Sequence, residues 1–561
     1  MYKQIWVIAL LLWMGGCATV NVEQEYATLS PNDALEPRYY DVDIPMRDGV
    51  NIRATVYQPE LKPGQSAPLV ITTHGWAGFR TSGPLSFWGL FMISGEATLN
   101  AWHNNYWVIS YDQRGFGDSG GDVEMMLPEY EPQDVSDIIT WANQHIPRLK
   151  RQTPEDPVIG MVGESWGGGS QLMASIADSR IDAIVPITTW NNLAKSLAPN
   201  NTVKTYWGVI FELAGMFSSG FDTGKLLESP YVDMMTGQMT PEGQAALERS
   251  SPSTYCAKQQ YPQADMLLIQ GFRDSMFSIN EGLANRECAL KGGRDVRLVA
   301  IQKGHRLPWP TQSIDGMMMY STDKTIDCGE VKYDTQDMIL QWLDLKLRDI
   351  PEEHPIPELC LTLPEEQKGY SPNQLLVGGE QFLIPEVDVD LIHTGWFEII
   401  MDPLSRLVSY VLPSGEVENA NKQSTSGGSF RPLFIPIWVA RSETTMIGIP
   451  QIDLAITGGS DDNQDVVFAA IGVRRKNSLG IDIVSEQIYP IVGNGSQQMD
   501  LPGISTLLEE DDTVGLVLQG YSGQYFFNPE GWFENIQVAG LINLPLWNAK
   551  ISDRILVGKN N

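Results

Sequence analysis

Histidines, cysteines and basic residues are all scarce in this 561-residue chain. It holds six histidines and five cysteines, and its 38 lysines and arginines face 69 acidic residues, which gives a formal net charge of −31. So acidic a chain repels nucleic-acid backbones and anionic lipid surfaces, so we expect no nucleic-acid partner. The cysteine spacings do not resemble a zinc site and no histidine cluster accompanies them, so no metal or organic cofactor is implied.

Long apolar runs are missing too, and the one near the start is short. Residues 5–14 are apolar but too few to span a bilayer as a helix. Two glycines and Cys17 follow, and small residues before a cysteine at this position resemble a bacterial lipoprotein signal. The resemblance implies a signal peptide at residues 1–17, lipidation of Cys17 and, because Ala18 is not aspartate, an anchor in the outer membrane of a Gram-negative cell envelope. An ordinary secretory signal with an incidental cysteine is the alternative.

The four other cysteines permit two disulfides. They are Cys256, Cys288, Cys328 and Cys360. An even number in an exported chain allows three connectivities, of which sequential pairing is the simplest.

The chain after residue 17 divides into four parts. Residues 18–37 are expected to be a tether, and residues 38–350 alternate short apolar runs with helical patterns, as a mostly parallel sheet does. Residues 351–377 are rich in proline and are expected to be a linker. Residues 378–556 alternate apolar and polar positions between turn signals, which predicts a β-sandwich.

Six apolar runs in the first large part predict buried strands, at residues 69–72, 107–111, 158–162, 183–187, 266–270 and 296–301. An aromatic-rich insertion at about residues 189–262 separates the fourth run from the fifth. Its position predicts a helical cap over an active site, although such aromatic side chains also serve as a cap's own core.

A serine motif follows the third of these runs. Gly163-Glu164-Ser165-Trp166-Gly167 stands between a predicted strand and residues that can begin a helix. This strand–turn–helix context is what a nucleophile elbow requires, and the two glycines avoid Cβ clashes in the tight turn. The motif therefore predicts Ser165 as a nucleophile.

A base and an acid are then needed, because a serine hydroxyl is a weak nucleophile without them. Of the three histidines after Ser165, His305 alone follows a predicted strand at its carboxyl end, where an open parallel sheet places its functional loops. Asp274 occupies the corresponding loop one strand earlier, and Glu281 is the reserve candidate. The order serine, acid, histidine is that of an α/β-hydrolase.

An oxyanion hole is the last requirement. We expect one donor from the backbone N–H of Trp166, which follows the nucleophile. The second is assigned to the backbone N–H of Trp76, in the loop that follows the first predicted strand. His74 in the same loop is expected to shape the loop and not to act as a base.

Three further motifs, at residues 46–50, 54–59 and 112–121, complete a resemblance to a known family. With the elbow and the loops of Asp274 and His305, they resemble the cocaine-esterase and Xaa-Pro dipeptidyl-peptidase (CocE/NonD) family over almost the whole mature chain. The resemblance implies a doubly wound α/β-hydrolase sheet with an inserted helical cap, followed by an all-β jelly-roll domain. Trp166 stands where members often carry tyrosine, and no tyrosine hydroxyl accompanies Trp76.

The resemblance implies a serine hydrolase that cleaves an ester or amide bond in a small-molecule or peptide acyl substrate. An Xaa-Pro dipeptidyl-peptidase proper is the alternative. A non-catalytic surface-binding lipoprotein is more remote, because it would have no reason to retain Ser165, Asp274 and His305 together.

Overall fold

The computed structural model describes residues 33–218, 237–306, 324–329, 331–364, 369–392, 432–459, 465–476, 480–520, 522–525 and 533–547, with positions 26, 30, 233, 415, 416 and 478. The predicted lipidation site Cys17 and most of the expected tether lie outside these residues.

The α-helices are α1 (Phe87–Phe91), α2 (Ile93–His103), α3 (Glu131–His145), α4 (Trp166–Ala177), α5 (Leu193–Leu197), α6 (Thr205–Ser218), α7 (Pro241–Arg249), α8 (Pro252–Ala257), α9 (Ile279–Lys291) and α10 (Thr335–Arg348). Short 3₁₀ turns lie at Pro199–Asn201 and Val484–Glu486.

The strands of the first part are β1 (Arg38–Pro45), β2 (Asn51–Gln58), β3 (Leu69–Thr73), β4 (Trp107–Tyr111), β5 (Arg151–Thr153), β6 (Asp156–Pro157), β7 (Ile159–Glu164), β8 (Ala183–Ile187), β9 (Asp265–Gly271), β10 (Val296–Ile301), β11 (Thr325–Asp327), β12 (Lys332–Asp334), β13 (Leu359–Thr362) and β14 (Gly369–Tyr370). The remaining strands are β15 (Glu380–Ile392), β16 (Gly415–Glu416), β17 (Leu433–Val439), β18 (Thr444–Gly448), β19 (Gln451–Gly458), β20 (Val466–Arg474), β21 (Asp482–Ile483), β22 (Tyr489–Val492), β23 (Gly495–Asp500), β24 (Ile504–Leu508), β25 (Thr513–Gln519), β26 (Phe533–Leu544) and β27 (Leu546–Trp547).

A ten-stranded sheet organises the first part, in the order β1-β2-β4-β3-β7-β8-β9-β10-β13-β14. The strands from β4 to β13 in this order run parallel, while β1, β2 and β14 join antiparallel at the two sides. All six predicted apolar runs form strands of this sheet. The predicted fold class, an α/β sheet followed by a β-rich part, is confirmed.

Both faces of this sheet are covered, which explains why its strands are apolar throughout. Leu298 and Ala300 of β10 belong to the core on one face, whereas Val299 and Ile301 belong to the core on the other. Side chains of a strand alternate between faces, so a strand buried on both sides needs apolar residues at every position.

The prediction that residues 351–377 form a linker is wrong for part of this stretch. Residues 359–362 form β13, which pairs in parallel with β10 in the main sheet, with Leu359 opposite Leu298. All four residues of β13 are buried. The surrounding prolines hide this short buried strand, Leu-Cys-Leu-Thr, from a prediction based on composition.

The structure pairs the four described cysteines sequentially, Cys256 with Cys288 and Cys328 with Cys360. The first disulfide joins α8 to α9, and the second joins the end of β11 to β13. The first disulfide therefore ties part of the inserted segment to α9, and the second ties β13 to the chain that follows β11.

The second part is built from three groups of strands: β15-β26-β19-β23, a larger sheet around β17-β25-β20, and β24-β18-β27. Their pairings are antiparallel except that of β16 with β17, which is parallel. Ile452, Leu454 and Ile456, the alternating residues of β19, are all buried in its core. Ile447 and Ile449 are instead buried in the core of the first part, so the β part packs directly against it. In the described part of the chain, no helix is long and apolar enough to cross a membrane.

Candidate active site

Ser165 lies at a sharp turn between β7 and α4. Its backbone has φ 54° and ψ −113°, a conformation that L-residues rarely adopt and that costs on the order of 1–3 kcal/mol. The Ser165 N–H donates to the carbonyl of Ile187 on β8 at 2.8 Å, and Ser165 precedes the first turn of α4. The turn therefore presents the serine at the carboxyl end of the sheet.

Both glycines of the motif are required by the neighbouring strand β3. A Cβ on Gly163 would lie 2.1 Å from Thr73 Oγ1, and a Cβ on Gly167 would lie 2.3 Å from the Thr73 carbonyl oxygen. The second clash is with backbone and cannot be relieved by a rotamer change. The expectation that these glycines avoid Cβ clashes thus has a specific cause, the close approach of Thr73.

The structure brings Ser165, His305 and Asp274 into one hydrogen-bonded chain. His305 Nε2 lies 2.8 Å from Ser165 Oγ, and His305 Nδ1 lies 2.7 Å from Asp274 Oδ2. None of the three residues is more than 2% exposed. With Asp274 ionised, Nδ1 carries the hydrogen and Nε2 is left to accept the serine proton.

The other oxygen of Asp274 is held by backbone donors. Asp274 Oδ1 accepts from the N–H groups of Met276 at 3.0 Å and Phe277 at 2.7 Å. The reserve acid Glu281 points elsewhere, since its Oε2 accepts from the backbone N–H groups of Asn191 and Asn192 at 2.7 Å each. Of the two candidate acids, Asp274 is the one in contact with the imidazole.

Trp76 and Trp166 lie side by side next to the serine, with ring centroids 4.9 Å apart in an edge-to-face arrangement. The Trp76 indole N–H donates to the carbonyl of Phe211 on α6 at 2.9 Å, so this N–H already has an acceptor in the cap segment. The Trp166 N–H belongs to the first turn of α4, where backbone donors point out of the helix. The backbone amides of Trp76 and Trp166 therefore remain the predicted oxyanion donors.

His74 shapes this loop as predicted from its position. Its Nδ1 lies 2.7 Å from the carbonyl oxygen of Gly75, and its Nε2 accepts from the backbone N–H of Gln113 at 2.9 Å. Burial lowers its pKa, which favours the neutral ring that this pair of contacts needs.

Glu164 is a residue of the site that the sequence reasoning did not assign. It is fully buried, and its Oε1 accepts from the backbone N–H of Gly75 at 3.3 Å and from Ser94 Oγ at 3.0 Å. Desolvation raises the pKa of Glu164 to about 7. The carboxyl group thus joins the elbow, the Trp76 loop and the start of α2. The sequence signal that could have identified Glu164 is an acidic residue at the end of an otherwise apolar strand.

An apolar cavity opens beside Ser165, and its empty space, counted together with the solvent at its mouth, is about 860 Å³. Aromatic side chains supply much of its wall: Trp76, Trp166, Trp190, Phe211 and Phe277. Trp190 lies in the inserted cap segment and is also packed in the core that joins the cap to the elbow. The cap aromatics therefore form both the cap's own core and the wall of the cavity.

Three ionisable residues also line this cavity. Lys204 Nζ donates to the backbone carbonyls of Ser275 at 2.8 Å and Met276 at 2.9 Å, in the Asp274 loop, and burial lowers its pKa to about 8. The other two are the carboxylates of Glu212 and Asp233. Asp233 is 1% exposed, and burial raises its pKa. Among the described residues, no group of three or more potential ligands is placed to hold a metal ion.

Comparison with known sequences gives matches to parts of the chain. Residues 48–305 match the family described as X-Pro dipeptidyl-peptidase (S15 family), a span that contains Ser165 and Asp274 and ends at His305. The "Uncharacterized 31.7 kDa protein in traX-finO intergenic region" of Escherichia coli is 32% identical over 118 residues, which cover 21% of this chain and 36% of that protein. The chain thus spans about a third of the length of the curated relatives it matches.

Solved structures resemble nearly the whole chain. An aminopeptidase from the marine sediment archaeon Thaumarchaeota archaeon has a TM-score of 0.62 and 12% identity, and the match covers 95% of this chain and 98% of that one. A CocE/NonD family hydrolase from Staphylococcus aureus has a TM-score of 0.60 and 11% identity, with 96% and 100% covered. An α-amino acid ester hydrolase has a TM-score of 0.58 and 13% identity, with 95% and 99% covered. Identities this low establish the fold alone.

Replacing Glu164 with Gln is expected to change how stability depends on pH. The pKa of Glu164 is about 7 in the folded chain, against an ordinary value of 4.5, so the folded chain keeps a proton that the unfolded chain loses. This contribution to stability is complete below the ordinary value and is lost as pH rises through about 7. The wild type should lose up to roughly 3 kcal/mol relative to Glu164→Gln over this window.

Urea unfolding at acid and mildly alkaline pH measures this difference. Glu155→Gln, at an exposed carboxylate, is the matched control and should track the wild type. Parallel curves for wild type and Glu164→Gln would show that Glu164 does not keep its proton in the folded state.

Proposed function

We propose that this chain, whose residues 48–305 match the X-Pro dipeptidyl-peptidase (S15) family, cleaves an ester or amide bond with Ser165 as the nucleophile. The observation that carries the proposal is the continuous chain of hydrogen bonds from Ser165 Oγ through His305 to Asp274. The family is the one expected from the sequence motifs.

The geometry supports acyl transfer to water. Ser165 Oγ attacks the substrate carbonyl carbon while His305 Nε2 takes the hydroxyl proton, and the carbonyl oxygen becomes an oxyanion near the backbone amides of Trp166 and Trp76. His305 then gives its proton to the leaving alcohol or amine. Water repeats the attack on the acyl-enzyme with His305 again as base. Asp274 fixes the imidazole tautomer and stabilises the imidazolium.

Ser165→Ala is expected to abolish labelling by a fluorophosphonate probe and to lower kcat for p-nitrophenyl butyrate by at least about 10³-fold, because the attacking oxygen is removed. The melting temperature should stay close to that of the wild type, since the substitution removes only the hydroxyl group and adds no atom to the tight turn. Ser179→Ala, at an exposed serine beyond α4, is the matched control.

Two results would count against the assignment. Labelling that persists in Ser165→Ala would place the nucleophile elsewhere. A wild-type chain that neither binds the probe nor hydrolyses any ester or amide would favour the rival reading, a non-catalytic binding protein on a hydrolase scaffold.

A second candidate function is hydrolysis of substrates whose acyl group carries a free amine, as in aminoacyl esters or peptides. Glu212 and Asp233 line the same apolar cavity as Ser165 and offer carboxylates to an ammonium group. A charged hydrogen bond in such a cavity is worth roughly 1.5–3 kcal/mol. An Xaa-Pro dipeptidyl-peptidase is the peptide version of this function, with a proline ring in the apolar part of the cavity.

Glu212→Gln is expected to raise KM for phenylalanine methyl ester roughly tenfold or more, because the carboxylate that faces the ammonium is neutralised. KM for methyl 3-phenylpropanoate, which lacks only the amine, should not change. Glu287→Gln, at an exposed carboxylate on α9, is the control variant. Equal effects on both esters would exclude an ammonium site at Glu212, and turnover of an alanyl-prolyl amide would select the dipeptidyl-peptidase version.

We further propose that the chain is anchored in the outer membrane through Cys17, on the strength of the lipoprotein-like segment before it. Cys17→Ser should eliminate incorporation of radiolabelled palmitate in Gram-negative cells and move the chain from the membrane fraction to the soluble fraction. Cys17→Ser that still incorporates palmitate would contradict lipidation at this residue. Export of an unlabelled wild-type chain would identify an ordinary secretory signal.

A further inference from the structure

A short turn of the β part, residues 485–487, reaches the two loops that carry Asp274 and His305. Ser485 and Glu486 both have left-handed backbones, with φ of 53° and 57°. A non-glycine residue in this region costs on the order of 1–3 kcal/mol and persists only where its surroundings hold it, as happens at functional sites. The 485–487 turn is therefore held in place by its contacts.

The carboxylate of Glu486 accepts from one arginine of each loop. Arg273, the residue before Asp274, donates through Nη2 to Glu486 Oε1. Arg306, the residue after His305, donates through Nη2 to the same oxygen at 2.6 Å and through Nε to Oε2 at 3.3 Å. One carboxylate thus links the loop that carries Asp274 to the loop that carries His305.

The neighbouring residue fixes the acid loop a second time. Gln487 is 6% exposed, and its Nε2 donates to the backbone carbonyls of Phe272 at 2.8 Å and Asp274 at 3.0 Å. A single amide therefore spans the residues on either side of Arg273. The β part holds the backbone of the acid loop at Phe272 and Asp274 and its side chain at Arg273.

We propose that Glu486 is a positioning residue for catalysis, which rests on the proposed function of Ser165. The Asp274–His305 hydrogen bond needs two separate loops to keep one spacing, and Glu486 ties the side chains adjacent to both. A displacement of about 1 Å in such a group can cost about 10²-fold in rate. The C-terminal β part then belongs to the catalytic apparatus, although none of its described residues lines the cavity at Ser165.

Other contacts explain why Glu486 adjusts the positions of the two loops but is not needed for them to fold. The Ser275 N–H donates to the His305 carbonyl at 2.9 Å, and Trp207 Nε1 on α6 donates to Ser275 Oγ at 3.2 Å. These bonds and those of Lys204 hold the acid loop from the hydrolase side and the cap side. Loss of Glu486 therefore leaves the loops folded, and Gln487 still holds the acid loop, but the link between Arg273 and Arg306 is removed.

The test is steady-state hydrolysis of p-nitrophenyl butyrate by the full-length chain, with active sites counted by fluorophosphonate titration. Glu486→Ala is expected to lower kcat per titrated site by about tenfold or more and to leave KM within about twofold, because the substrate cavity is untouched. Glu486→Gln keeps the side-chain volume but offers a single neutral acceptor oxygen, and should lower kcat by at least about threefold. Glu443→Gln, at an exposed carboxylate on a turn of the same part, should match the wild type.

The value of kcat per titrated site distinguishes a positioning role of Glu486 from a role in stability alone. If Glu486 only stabilises the contact between the two parts, its variants will have a lower melting temperature and fewer titratable sites, while kcat per remaining site is unchanged. That result would overturn the proposal. The Gln variant carries the same comparison if the Ala variant does not fold. A wild-type chain without Ser165-dependent activity would overturn the proposed function itself, which is a different result from an active chain indifferent to Glu486.

Discussion

The 2.7 Å contact between Asp274 and His305 is the interaction on which the rest of the site depends. Its two partners stand on loops after adjacent parallel strands, β9 and β10, whose pairing fixes the origins of the loops but not their tips. Hydrogen bonds from three directions then hold the Asp274 loop: from Met276 and Phe277 within the loop, from Lys204 on the cap side, and from Gln487 in the β part. The Ser275 N–H of this loop in turn donates to the carbonyl of His305. Because the pair is fully buried, water cannot replace a bond lost from this arrangement.

The nucleophile is held by a steric constraint of a different kind. Thr73 on β3 approaches the elbow so closely that only glycine fits at positions 163 and 167. Beneath the same turn, the buried carboxyl of Glu164 bonds to Gly75 in the Trp76 loop. The strained serine and its expected oxyanion donors are therefore parts of one packed unit. A change in the Trp76 loop is expected to shift the position of Ser165 as well.

Local patterns predicted the sheet and the candidate triad well because each depends on short stretches of sequence. The elbow needs five consecutive residues, and Asp274 and His305 each follow an apolar run that forms a strand of this sheet. Glu164 and Glu486 were not assigned, since their significance comes from partners that are distant in sequence: Ser94 for the first, and Arg273 and Arg306 for the second. The strand β13 was missed because a strand of four residues among prolines carries little signal, and its place is set by β10.

That strand changes where the first part of the molecule ends. Without residues 359–362, β10 would become an edge strand, with unpaired backbone groups along the buried stretch that now meets β13. Unpaired, apolar edges invite pairing with a second chain. A gene truncated at the end of α10, the boundary that composition marks, would therefore encode an aggregation-prone fragment, because the sheet of the first part continues through β14.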